Sequence, residues 1–505
     1  MAFGGARLVR ADLFLIFWFW LGLIATMVVL QAAGLDFGFD LWPIGEFRNW
    51  LQFLQEGPGY NAAKLFWAVD HRNALSPWWY LAARPLIEAV PAAPLILHLL
   101  VGLFVGTAAY LLMAELTSSH SFALSVGILS SLFIPNVYRD EVIWNFVGAL
   151  GCTLVCIWLF AIFCRDRRQS GYLAASYLAW FVAIATYTIQ IGAMGGVFFV
   201  SLRQRLSTAS WTKAVFGAAL DTLPYAGLLA LYVMIWLTTS PPGVPSAFRL
   251  QFSLVALAQS IGFGIWNVHY HFFWTWLTAA DNRLMFVIFA LLATSMLAML
   301  RWVRPGQSDK PTLTSLGFAL LVATCIAGPT IALEASSDLW IPGTRWPMLM
   351  QLWSPFLFCS VLFLGMSKVP ARYWLPVWRV AIACSAAFAI LLVLGFNRTQ
   401  VIHVRQERAF FAELQAAVTR DRLAGAKFPR GYLIKLLEPA PFLPVAQLAD
   451  PYAHTILGRD VTFRVTDRLP EQSDSTTSLV WKDQHLIRAP DELLGQTSTA
   501  PGDPR

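Results

Sequence analysis

Apolar runs recur along the first 396 residues, at 13–31, 90–113, 121–135, 142–164, 214–237, 284–303, 312–333, 347–367 and 376–396. At 1.5 Å rise per residue, about 20 apolar residues cross the hydrocarbon layer of a bilayer, so the pattern predicts a series of transmembrane helices. Segment 170–201 breaks the series: it is too long for one span and short for two, and its centre holds the polar cluster Thr186, Tyr187, Thr188 and Gln190. Two short helices meeting near Thr188 are expected there, giving about eleven spans. The run 13–31 follows Arg7 and Arg10 and ends on Gln31-Ala32, a poor cleavage signal, so it reads as an uncleaved first helix.

Two long polar connections interrupt the spans. One covers 32–89, punctuated by Pro43, Gly57-Pro58-Gly59 and Pro77; its stretch Ile44 to Leu54 has helical spacing and is expected on the membrane surface. The other covers 238–283 and contains an apolar stretch, Leu250 to Ile265, with the spacing of an interfacial or re-entrant helix. After residue 396 the pattern changes. Gln400 to Leu423 alternates as an amphipathic helix, and Tyr432 to Leu437 and Val461 to Val465 as short strands. The expectation is an all-α polytopic membrane protein with about 11 transmembrane helices over 1–396, surface helices in the first outer loop, and a small α/β-like extracytoplasmic appendage at 397–470. Residues 471–505, rich in Ser, Thr, Asp and Pro, are expected to be disordered.

Composition agrees with the pattern. Of 505 residues 57% are hydrophobic and only 13% charged, about half the charged share of a soluble domain, with a mean hydropathy of +0.58. The six cysteines lie in or beside apolar runs and form no metal-site or disulfide framework. The net charge of +7 raises nucleic acid as a partner, but the distribution of charge answers otherwise. With the N-terminus cytoplasmic, the inner loops hold fourteen basic residues, among them Arg165, Arg167, Arg168, Arg203, Arg205 and Lys213, against four acidic ones, whereas the outer loops hold eight basic and eleven acidic. This is the positive-inside bias of a multi-pass cell-membrane protein, of the kind found in a bacterial inner membrane. It leaves no call for a nucleic-acid partner and puts the C-terminus outside.

Charged groups pressed against a membrane are costly, so polar clusters there are functional candidates. The outer side offers Asp36 and Asp40 after the first span, Asp70-His71-Arg72-Asn73 ahead of Pro77-Trp78-Trp79, the turn Tyr138-Arg139-Asp140-Glu141, and Asp338 to Trp346 with Arg345 after the tight turn Pro342-Gly343. Transfer of a sugar to a hydroxyl needs a carboxylate to take the proton and a cation to stabilise the leaving phosphate. Asp70 supplies the first, and His71, Arg72 or Arg345 the second. Tyr187 and Gln190, at a helix break, are candidate substrate contacts, because irregular backbone at membrane depth is tolerated where it lines a cavity. Competing structural roles exist for each: a solvated ion pair for Asp70-His71-Arg72, a charged span end for Asp140-Glu141, and an interfacial belt for the aromatic residues. Asp221, near the inner end of its span, reads as structural.

The arrangement of first span, large outer loop, acidic turn between the third and fourth spans and outward tail resembles the GT-C class of integral membrane glycosyltransferases. That resemblance implies a sugar donor linked to polyprenyl phosphate, a glycan, lipid or protein acceptor, and chemistry on the outer face of the bilayer. It implies Asp40 or Asp70 as the catalytic base in the first outer loop; beside it, residue chemistry offers His71, Arg72, Tyr138, Arg139, Tyr187, Gln190 and Arg345 as substrate-binding candidates. It also implies a divalent ion, Mg or Mn, held by Asp140 and Glu141; the paired acidic motif usual in the first loop is absent, its carboxylates standing singly. Competing functions are a polysaccharide polymerase or ligase and a lipid or solute transporter such as a flippase. The inner loops are too short for a nucleotide-sugar fold, which favours a lipid-linked donor.

Overall fold

The computed structural model describes residues 93–132, 142–239, 282–301, 311–334, 346–366, 369–437, 460–466, 476–482 and 485–490, with the single positions 14, 16–18, 21, 75, 79, 253–255, 258 and 457. The described chain is mostly helical. It divides into two compact units, the boundary falling between Asn397 and Arg398 inside a single long helix.

The first unit contains α1 (Ala93–Thr117), α2 (His120–Leu132), α3 (Val142–Arg165), α4 (Ser170–Thr186), a 3-10 turn (Thr188–Gly192), α5 (Ala193–Leu206), α6 (Trp211–Thr239), α7 (Asn282–Leu300), α8 (Leu313–Glu334), α9 (Trp346–Met366) and the first part of α10 (Ala371–Leu423). Four helices, α1, α3, α6 and α10, contain stretches long and apolar enough to cross a membrane; α4, α7, α8 and α9 contain shorter apolar stretches. Apolar side chains also point outward, for example Leu178 and Phe181 on α4, Phe216, Leu223 and Ile235 on α6, and Phe286 and Leu291 on α7. Helices apolar on both their packed and exposed sides are compatible with a lipid surround. α5 is fully described and contains no such stretch, while most of 13–31, the end of 121–135 and the surface helices of the first loop lie outside the described residues.

Contacts between helix ends gather the basic residues. Arg165, closing α3, pairs with Glu115 at 3.0 Å near the end of α1, and Arg203, near the end of α5, donates to the Leu116 carbonyl. Asp221 of α6 accepts from Arg205 at 2.8 Å, Arg167 at 3.0 Å and Ser201 at 2.6 Å. Asp221 therefore ties the α3–α4 and α5–α6 connections together, the structural role its position suggests. Farther round, Arg379 of α10 donates to the carbonyl of Arg301 after α7.

Close helix crossing is built from small residues. Where α1 meets α2, a Cβ on Gly106 would land on Ser131 Cβ, and one on Gly127 would lie 2.9 Å from the Gly106 carbonyl oxygen. Such small-residue seams let two helices pack without bulky side chains between them. The same stretch of α2 buries Ser121, Ser125, Ser130 and Ser131; Ser125 accepts from Trp378 Nε1 at 2.9 Å, fixing α10 against α2.

The second unit, from Arg398 on, packs the end of α10 on a four-stranded sheet of β1 (Arg430–Leu436), β2 (Val461–Val465), β3 (Thr476–Lys482) and β4 (His485–Arg488) in the order β2-β1-β3-β4. β1 runs parallel to β2 and β3, and β3 and β4 form an antiparallel hairpin. Phe410, Phe411, Leu414, Ala417 and Val418, at helical spacing, meet Tyr432, Ile434, Phe463, Leu479 and Trp481 from the sheet. Two expectations are corrected here. The helices expected at 376–396 and 400–423 are one helix, since Asn397-Arg398-Thr399 contains no breaker. The tail expected to be disordered from 471 holds β3 and β4, because Leu479, Trp481 and Leu486 find apolar partners on β1 and α10 that composition averaging hides.

Below that core, Asp421 (13% exposed) accepts from Tyr432 at 3.1 Å and Thr477 at 2.9 Å and pairs with Arg430 (10% exposed) at 3.2 Å. Arg430 also donates to Thr477 at 2.6 Å. Burial, then the neighbouring Asp421 charge and its hydrogen bond, push the Tyr432 phenol well above its ordinary value of 10. The folded pKa exceeds the unfolded one, so this contribution to stability is complete below about pH 10 and disappears as pH rises through the folded value.

Two outcomes are expected. Gly106→Val forces α1 and α2 apart and lowers the thermal midpoint of the purified protein, while Gly148→Val, at a position with open space, leaves it nearly unchanged; equal effects would contradict the crossing. Asp421→Asn moves the Tyr432 ionisation back toward pH 10, read as the difference in phenolate absorbance against Tyr432→Phe in the same background. An identical titration in wild type and Asp421→Asn would contradict the network.

Candidate functional site

The break expected near Thr188 is present, and its local cause is visible. The run Thr186-Tyr187-Thr188-Ile189 combines β-branched and aromatic residues of modest helix propensity, and Tyr187 takes an extended backbone (φ −156°, ψ 111°) that ends α4. A single 3-10 turn follows, with Gln190 N–H bonded to the Tyr187 carbonyl at 3.2 Å, and α5 begins at Ala193.

A helix C-terminus leaves four carbonyls without intrahelical partners. Here Ala183 is served by the Tyr187 N–H at 2.9 Å, and Ala185 by the N–H of Leu75 at 2.8 Å. Four residues on, Trp79 Nε1 donates to Thr186 Oγ1 at 3.1 Å. The first long loop thus closes the end of α4 at two points. Opposite, Gly192 lets α8 approach: a Cβ there would collide with the Cys325 carbonyl oxygen and lie 3.0 Å from Pro329 Cδ. Inside the break, Thr153 of α3 donates to Gln190 Oε1 at 3.1 Å.

The site therefore assembles Trp79, Thr153, Thr186, Tyr187 and Gln190 from the loop, α3 and the break. Trp79 is 41% exposed, Tyr187 is buried, and Gln190 is 5% exposed. The arrangement offers an indole ring whose N–H is already engaged and a buried amide held by its oxygen. Chemically the break offers a partly exposed indole ring and a buried carboxamide. Pattern reading singled out Tyr187 and Gln190 and missed Thr153. A lone Thr inside the apolar run 142–164 is weak, although a hydroxyl in such a run has to find a partner.

Asp40, Asp70, His71, Arg72, Tyr138, Arg139, Asp140, Glu141 and Arg345 lie outside the described residues. Among the described residues no three His, Cys, Asp or Glu side chains are grouped to hold a metal ion. Comparison of the chain with known protein families, with characterised proteins and with solved structures gives no match.

Replacing Thr186 with Val should leave the Trp79 N–H unpaired and loosen the loop, at a cost of about 1–3 kcal/mol. The check is limited proteolysis of the full chain, with faster cleavage in the 60–90 region expected. An unchanged rate would mean that the Trp79–Thr186 bond does not hold the loop.

Proposed function

We propose that this chain is a multi-pass glycosyltransferase of the cell membrane, moving a sugar from a polyprenyl-phosphate-linked donor to a glycan, lipid or protein acceptor at the outer face. The observation that carries the proposal is the docking of Leu75 and Trp79 on the α4 break. Asp70 is five residues before Leu75 in the sequence, so at most about 18 Å of extended chain separates the two positions.

Orientation follows from charge. The ends of α1, α3 and α5 with Glu115, Arg165, Arg203 and Arg205 are the basic, cytoplasmic side under the positive-inside rule. The break stands at the opposite end of α5, which makes it outward-facing. The exposed apolar faces of α4 and α6 suit lateral approach of a donor with a lipid tail.

In the proposed reaction the acceptor hydroxyl oxygen attacks the anomeric carbon while the bond from that carbon to the phosphate oxygen breaks. The hydroxyl proton passes to a carboxylate, Asp70 or Asp40, and the polyprenyl phosphate leaves with its charge stabilised by Arg72, His71 or Arg345. Tyr187 and Gln190 contact the sugar. No step is assigned to a divalent ion.

The test is label transfer from a polyprenyl-phosphate hexose in membranes carrying the wild-type chain, with loss of about a hundredfold or more in Asp70→Asn or Asp40→Asn. Full activity in both variants removes the proposed base. Translocation of the labelled lipid without any sugar transfer would make the chain a flippase.

A further inference from the structure

The basic ends of the helices carry more positive charge than their own carboxylates neutralise. Glu115 is taken by Arg165, and Asp166 accepts from the Arg168 N–H at 3.2 Å and from Gln169 Nε2 at 2.6 Å within its own turn. Asp221 serves Arg167 and Arg205 together, both on its Oδ2, which leaves one positive charge over. The side chains of Arg168 and Lys213 are exposed and meet no carboxylate among the described residues. Helix α6 fixes where this charge stands. A Cβ on Gly217 would collide with the Arg205 guanidinium, so that group rests against the helix on its way to Asp221. Lys213, Gly217 and Asp221 are spaced four residues apart and follow one side of α6 in steps of about 6 Å. Lys213, the Arg205 guanidinium and Arg167 therefore succeed one another along that side, with a single carboxylate at the far end. Beside Lys213, one turn on, begins an exposed apolar stripe at helical spacing, Phe216, Leu220 and Leu223, and Trp211 is exposed at the start of the helix. Cations bordering an apolar stripe match a molecule that carries a phosphodiester anion on hydrocarbon chains.

We propose that the start of α6 is a binding site for an anionic phospholipid of the cytoplasmic leaflet. Lys213 takes the phosphodiester, and Arg205 and Arg167 supply the positive field along the same side of the helix. Arg168 adds an exposed cation on the turn that Arg167 ties to α6, and the acyl chains run along Phe216, Leu220 and Leu223. A phosphatidylcholine headgroup carries its own cation and gains less from this surface, and a free phosphate ion has no chains for the stripe. The site rests on the membrane reading and on the cytoplasmic placing of these helix ends; it is independent of sugar transfer.

The experiment is native mass spectrometry of the full chain in detergent micelles, titrated with dioleoyl phosphatidylglycerol, dioleoyl phosphatidylcholine or inorganic phosphate. The wild type should bind phosphatidylglycerol about fivefold or more tighter than phosphatidylcholine and retain no phosphate. Lys213→Gln and Arg168→Gln should each weaken phosphatidylglycerol about fivefold and leave phosphatidylcholine unchanged, with thermal midpoints as in the wild type because both side chains are exposed. Lys213→Arg and Arg168→Lys keep the charge and should keep the affinity. Arg372→Gln makes the same change of charge at an exposed position of α10 and should leave phosphatidylglycerol binding intact. Equal wild-type affinities for the two lipids, or an unchanged affinity in the Lys213→Gln Arg168→Gln double variant, overturn the site. Equal losses in Arg372→Gln and Lys213→Gln would reduce the effect to net charge and overturn the site as well. Phosphate retained as tightly as phosphatidylglycerol would overturn the lipid as its ligand.

Discussion

A helix that ends within an apolar bundle must give its last carbonyls new partners, and that requirement organises the first unit. The end of α4 solves it with atoms from far along the chain: Leu75 caps the Ala185 carbonyl, and Trp79 binds the Thr186 hydroxyl. Because the solution comes from the first long loop, the break cannot close without bringing that loop to it. Gly192 then sets how near α8 comes, and Thr153 donates to the buried Gln190 amide oxygen. The interrupted helix thus brings Trp79 and Thr153, from far along the chain, to Thr186 and Gln190.

The opposite end of the same helices is held by charge. Asp221 gathers Arg167, Arg205 and Ser201, and Glu115 takes Arg165, so these basic residues clamp the helix ends. Removing one partner from such a half-buried cluster leaves charge uncompensated, which makes the clamp a structural element. The unit is therefore polar in two different ways: paired ions at one end, neutral donors and an aromatic ring at the other.

Much of this was legible in the sequence, for physical reasons that also mark its limits. The break in 170–201 could be read because one span cannot accommodate 32 residues and because Thr186, Tyr187, Thr188 and Gln190 stand together. The strand Val461–Val465 could be read because alternation survives when one face is buried. Thr153 could not, since its role depends on a partner 37 positions away that no period reports. β3 and β4 were hidden by the polar residues around them; what folds them is the long-range pairing of Gly431 to Leu436 with Thr476 to Trp481. The proposed carboxylates Asp40 and Asp70 were read from motif and chemistry, and Asp70 connects to the described site through the chain at Leu75.

The most direct measurement is the sidedness of the two ends. With Trp79→Cys and Lys213→Cys in separate chains, a membrane-impermeant maleimide applied to intact cells should label position 79 and leave position 213 unlabelled until the membrane is permeabilised, with the native chain as background for its six free cysteines. Labelling of position 213 in intact cells, with position 79 protected, would put the break on the cytoplasmic side and contradict an outward-facing site.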